Sequence, residues 1–127
     1  MIMKADISPK RYKALPRLVH VLLLDFGAWL VGSGARYYLE ETPTRPRDWD
    51  VMIPPERWLE AVRTISLREP EISVNAFGGL KITCDPVEKE VVSYDIWPGT
   101  LDTFLPGDNA TQVAVRLNPY TVVKASS

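Results

Sequence analysis

The sequence predicts an α+β domain, a small mixed β-sheet packed with helices. Three observations predict it. Apolar residues recur at helical spacing before position 27, stretches at 48–53 and 91–97 alternate, and glycines, prolines and an Asp-Pro pair punctuate the two patterns. The order reads helix, strand, helix, strand, helix, then hairpin-like strands. At 127 residues and 46% hydrophobic content, the chain has the size of one compact domain, taken as 1–127, with enough apolar side chains to bury a core.

The elements follow in order. Ser8-Pro9 is a helix-start signal, and Leu15, Leu18, Val19, Leu22, Leu23 and Phe26 fall at three- and four-residue spacing, with Pro16 restarting the helix. Gly27 is a stop, and Ala28-Trp29-Leu30-Val31 reads as a short buried strand. Gly32-Ser33-Gly34 is then a turn, 35–41 a short helix, and 42–47, with prolines at 43 and 46, an irregular connection. In 48–53, Asp48, Asp50 and Met52 point one way and Trp49, Val51 and Ile53 the other. Pro54-Pro55 opens a helix whose apolar stripe is Trp58, Leu59, Val62 and Ile65. Ile72, Val74 and Ala76 alternate with polar residues, Gly78-Gly79 turns, and 80–84 resumes extended character up to the Asp85-Pro86 turn. The strand at 91–97 sets Asp95 on one side with Ser93 and Trp97, and 112–123 reads as one further strand with an irregular end.

Composition narrows the function classes. Fifteen basic residues against sixteen acidic ones leave a formal charge of -1, which supplies no global attraction to nucleic acid or an anionic membrane. Cys84 is the single cysteine, so no internal disulfide forms, and the expectation is a core residue in a reducing cytosol. The apolar run 18–24 is interrupted by His20 and followed by Asp25, far short of the ~20 residues of a membrane span. With no signal-peptide pattern before it, the expected location is the cytoplasm, with no membrane partner.

Two aspartates sharing a strand face repel each other when ionised, an arrangement that makes sense with a cation between them. Magnesium is the natural guest, because it takes oxygen ligands and is often completed by substrate phosphates. If its strand lies beside the first, Asp95 supplies a third carboxylate, which suits one or two metal ions. The Gly32-Ser33 turn between strand and helix adds a grip for phosphate, since glycine lets the backbone approach an anion.

With these residues in view, the sequence resembles the nucleotidyltransferase superfamily of the DNA polymerase beta type. That signature is a hydrophobic strand, Gly-Gly or Gly-Ser, a spacer and Asp-x-Asp among apolar residues, here Trp29-Leu30-Val31-Gly32-Ser33 and Asp48-Trp49-Asp50-Val51-Met52-Ile53. Gly32-Ser33-Gly34-Ala35-Arg36 is similar to the minimal nucleotidyltransferases, and Thr44-Arg45-Pro46-Arg47-Asp48-Trp49-Asp50 to the antibiotic ones; Ser93-Tyr94-Asp95-Ile96-Trp97 matches the strand of the third acid. The resemblance covers roughly 28–97. It implies that Asp48, Asp50 and Asp95 bind Mg2+, that Asp95 also serves as base for the acceptor hydroxyl, that Gly32 and Ser33 hold a nucleoside triphosphate, and that Arg36 touches phosphate. Two positions depart from the pattern: Tyr37 replaces the usual glycine after the arginine, and Arg47 the serine before the first aspartate.

The other conspicuous residues have plainer readings. His20 is a structural or surface residue, Trp58 is core, and Trp97 either covers the site or packs. Arg45 and Arg47 either neutralise triphosphate charge or pair with the carboxylates, and Lys81 receives no role. The implied activity is transfer of a nucleoside monophosphate to a hydroxyl of a small molecule, a protein or an RNA end. The alternative is a catalytically degenerate nucleotidyltransferase fold that binds a protein partner. A blander alternative is an unrelated α+β protein with chance surface aspartates. The motif reading requires Asp48, Asp50 and Asp95 to converge near the Gly32 turn.

Overall fold

The computed structural model describes residues 2–3, 13–67, 71–75, 78–83, 93–104 and 112–124. Among them, one mixed sheet contains β1 (Ile2–Met3), β2 (Trp29–Val31), β3 (Asp48–Ile53), β4 (Glu71–Val74), β5 (Leu80–Thr83), β6 (Ser93–Pro98), β7 (Val113–Leu117) and β8 (Tyr120–Lys124). The spatial order is β1-β8-β7-β2-β3-β6-β5-β4. Strands β3 and β6 run parallel at the centre, and the remaining neighbours are antiparallel.

Helices α1 (Arg17–Asp25), α2 (Gly32–Tyr38) and α3 (Trp58–Ser66) cover one face, with a short 3-10 turn, Pro55–Arg57, leading into α3 and a single turn α4 (Leu101–Phe104) after β6. Helix α1 buries Leu18, Val19, Leu22 and Leu23, as its spacing requires. It ends at Gly27, whose φ of 61° lets the Ala28 N–H turn back to the Leu22 carbonyl at 3.4 Å. The Arg57 guanidinium donates to the Asp25 carbonyl at 3.1 Å and lies 5.2 Å from the Phe26 ring centroid, tying the start of α3 to the end of α1.

Alternation divides the sheet into two faces. Trp49, Val51 and Ile53 of β3, Tyr94 and Ile96 of β6, and Ile82 of β5 join Leu30 and the helices in the main core. The opposite face carries a smaller apolar cluster of Trp29, Val31, Met52, Ala114 and Val123, with Trp97 and Leu101 packed against it. Trp97 is thus a packing residue of that second face, and Trp58 packs against the main core while staying half-buried.

Several expectations need correction. Helix α2 begins at Gly32, not at Ala35, and ends at Tyr38. The φ of 68° at Gly32 makes the turn in one residue, so the helix starts at once. The buried stripe of α3 uses Ala61 and Ile65, whereas Leu59 is 72% exposed. Ile72 and Val74 form a strand but are exposed, because β4 is the sheet's edge. The tail is not one strand: Asn118-Pro119 turns it into a two-residue hairpin joining Leu117 to Tyr120. The helix start at Ser8-Pro9, Ala76, the core reading of Cys84 and the Asp85-Pro86 turn lie outside the described residues. Among the described residues no helix is long and apolar enough to cross a membrane.

Candidate functional site

Strand register builds the site. Asp50 of β3 lies directly beside Asp95 of β6, Asp95 faces Lys81 of β5, and on the other side Asp50 faces Val31, the residue before Gly32. Asp48, two residues earlier on the same face, pairs with Ser93, whose hydroxyl donates to Asp48 Oδ1. At the Gly32 turn, a Cβ in place of the glycine hydrogen would stand 3.4 Å from Asp50 Oδ2. The three aspartates therefore share the face opposite the helices, and Gly32 stands against one of them, Asp50.

Trp49, between the two aspartates, points the other way and holds the turn in position. It is fully buried, and its ring meets Tyr37 of α2 edge-on at 6.1 Å between centroids. Gly34 allows this approach, since a Cβ there would come within 2.9 Å of Trp49 Cε3 and 3.0 Å of Leu30 Cδ1. The residue that the Asp-x-Asp motif leaves unspecified thus packs the helix carrying Gly32 and Ser33 onto the strand carrying the acids.

The electrostatics follow from that crowding. Burial away from water, then the charges of Asp95 and Asp48, raise the Asp50 carboxyl from 3.8 to about 6, with Lys81 opposing the shift. The Lys81 ammonium lies 3.6 Å from Asp95 Oδ2 and 3.8 Å from Asp48 Oδ1. Sequence reading missed this lysine. Its signal was a lone cation between Leu80 and Ile82, but only the register of β5 on β6 shows that it meets the acids.

The remaining candidates are more dispersed. Ser33 is exposed at the start of α2, and Arg36 is half-buried, its Nε without a hydrogen-bond partner. Among the described residues no hydrogen bond or ion pair joins either one to the aspartates. Arg45 lies 5.7 Å from the Trp49 ring centroid, and Arg47 is exposed. His20 sits on α1, across the sheet from the acids. A cleft of about 370 Å³ opens on the acidic face farther along the strands, lined in part by Trp29, Glu56, Thr100, Asp102 and Arg116. The Arg116 guanidinium lies 4.6 Å from the Trp29 ring centroid there.

The sequence matches no protein-family model and no curated protein. Its structure is similar to that of a CCA-adding enzyme in complex with ATP, with a TM-score of 0.62 and 14% identity over 98% of this chain and 33% of that one. The chain has a nucleotidyltransferase-like fold. It spans about a third of the length of that CCA-adding enzyme. At that identity the likeness is one of fold alone.

Among the described residues no three acidic, histidine or cysteine side chains are grouped as a metal-holding cluster, and the Lys81 ammonium stands between two of the acids instead. The donor set is all oxygen, the type of ligand that a hard divalent ion takes.

Proposed function

We propose that the chain is a metal-dependent nucleotidyltransferase of the cytoplasm, moving a nucleoside monophosphate from a nucleoside triphosphate to a hydroxyl on a small molecule, a protein or an RNA end. The observation that carries this reading is the register of Asp50 beside Asp95, with Asp48 on the same face and Gly32 against Asp50. The fold shared with an ATP-bound CCA-adding enzyme supports a nucleotide substrate.

In this reading Asp48, Asp50 and Asp95 would hold one or two magnesium ions, which would supply neutralisation of the triphosphate charge and activation of the acceptor oxygen. Gly32 and Ser33 hold the triphosphate, and Arg36 reaches a phosphate from the next turn of α2. Asp95 takes the proton of the acceptor hydroxyl as that oxygen bonds to the α-phosphorus. The bond from the α-phosphorus to the bridging oxygen breaks, and pyrophosphate leaves with the electron pair. Such chemistry depends mainly on positioning and charge, which a few side chains on a rigid sheet supply.

The test is incubation with labelled ATP, CTP, GTP or UTP, magnesium and candidate acceptors. The expected result is labelled acceptor plus pyrophosphate, with Asp50→Ala lowering transfer by about 100-fold or more. A folded protein that neither transfers nor binds a triphosphate overturns the reading.

A second reading, a catalytically degenerate nucleotidyltransferase fold that binds a protein partner, draws on the two Lys81 ion pairs, which offset acid charge without a metal. It requires Asp50→Ala to leave the biological effect intact while a surface change abolishes it.

A further inference from the structure

Lys81 is held opposite Asp95 by the turn before it. The Asn75 side-chain amide donates to the Leu80 carbonyl at 3.0 Å and to the Ile96 carbonyl at 3.2 Å, while its oxygen accepts the Gly79 N–H at 2.9 Å. Gly79 lies so close to β6 that a Cβ there would overlap the Ile96 carbonyl oxygen. One asparagine and one glycine thus clamp β5 to β6 and align Lys81 with the acid.

The tip of that side chain is far less constrained than its base. Its ammonium stands 3.6 and 3.8 Å from two carboxylates, beyond hydrogen-bonding distance from either, and the side chain is 39% exposed. Contacts of that length across a partly solvated gap are weak, and the four-carbon stem allows the ammonium to move. A divalent ion entering the carboxylate cluster brings twice the charge of the ammonium and repels it. A polyphosphate on the same face offers the displaced ammonium a richer set of anionic oxygens.

We propose that Lys81 exchanges partners during substrate binding: it neutralises Asp48 and Asp95 until a divalent ion arrives, then moves to the polyphosphate of the substrate. This rests on the nucleotidyl-transfer reading and adds a phosphate-binding residue to it. A lysine that exchanges partners opposes the metal and favours the polyphosphate, whereas a fixed structural counter-ion supports neither selectively.

Calorimetry with Mn2+ alone, then with preformed manganese tripolyphosphate, separates the two. In Lys81→Met, Mn2+ is expected to bind about 5-fold more tightly, because one repelling charge is gone. Manganese tripolyphosphate is expected to bind about 10-fold more weakly, for loss of a charge-assisted contact. Lys81→Arg is expected to restore the tripolyphosphate affinity, and Lys81→Gln, with circular dichroism as a check on folding, serves as a second neutral variant. If both affinities fall together in the neutral variants, or neither changes while wild type binds both probes, partner exchange is overturned and nucleotidyl transfer stands. A folded wild type that binds neither probe overturns nucleotidyl transfer and partner exchange with it.

Discussion

The two faces of β3 carry opposite kinds of side chain. Trp49, Val51 and Ile53 are fully buried beneath helices, while Asp48 and Asp50, one position away along the same backbone, crowd charge onto the opposite face with Asp95 and Lys81. The helix-covered face gains stability from every side chain it buries. The acidic face gives some up, since Asp50 is withdrawn from water and set beside two like charges. One strand therefore carries both the anchor and the load, and the anchor is what keeps the load in place.

The largest expected effect lies on the covered face. Trp49→Ala is expected to cost about 3–5 kcal/mol in chemical denaturation, because it empties the space between α2 and β3. A cost under about 1 kcal/mol would mean that the tryptophan does not pin the two together. Next comes Gly34→Ala. Replacing a helical glycine by alanine ordinarily stabilises by about 1 kcal/mol, but here the added methyl meets Trp49 and Leu30 and is expected to destabilise by about 1–2 kcal/mol. A stabilised variant would show that the helix can lift off the strand at no cost.

The smallest effect has the opposite sign and belongs to the acidic face. The folded-state carboxyl of Asp50 is raised to about 6, so above that pH its charge is a penalty, and below 3.8 it is protonated in both states. Asp50→Asn is therefore expected to raise stability by about 1 kcal/mol at pH 7.5, after allowing for solvent screening, and the advantage should fade as pH drops from 6 towards 4. Thermal melts at pH 7.5 and at about pH 4 measure it. A variant less stable than wild type at pH 7.5 would mean that the carboxylate contributes to the fold.

Much of this division was legible in the sequence because it rests on period. Strand alternation alone set Asp48 and Asp50 on one face and Trp49 on the other, and the period of α1 with Gly27 at its end located the main helix. What escaped depends on relations between elements. The one-residue turn at Gly32 is a backbone angle that a Gly-Ser-Gly string does not specify. Leu59 fits a helical stripe as well as Ala61 does, and the packing of α3 decides between them. Ile72 and Val74 alternate as a strand should, yet only the sheet order reveals that β4 is an edge. Lys81 became part of the site through cross-strand register, which no local pattern encodes.

The parallel pairing of β3 with β6 joins residues 45 positions apart, as in Asp48 and Ser93. The acids are neighbours only while that long loop of chain is closed. Opening the pair would return the Asp50 carboxyl to water and part it from Asp95, so above pH 6 the ionised Asp50 weighs against closure of the central seam. A cation bridging the acids would act as a clasp on that seam, coupling occupancy of the site to closure of the middle of the fold.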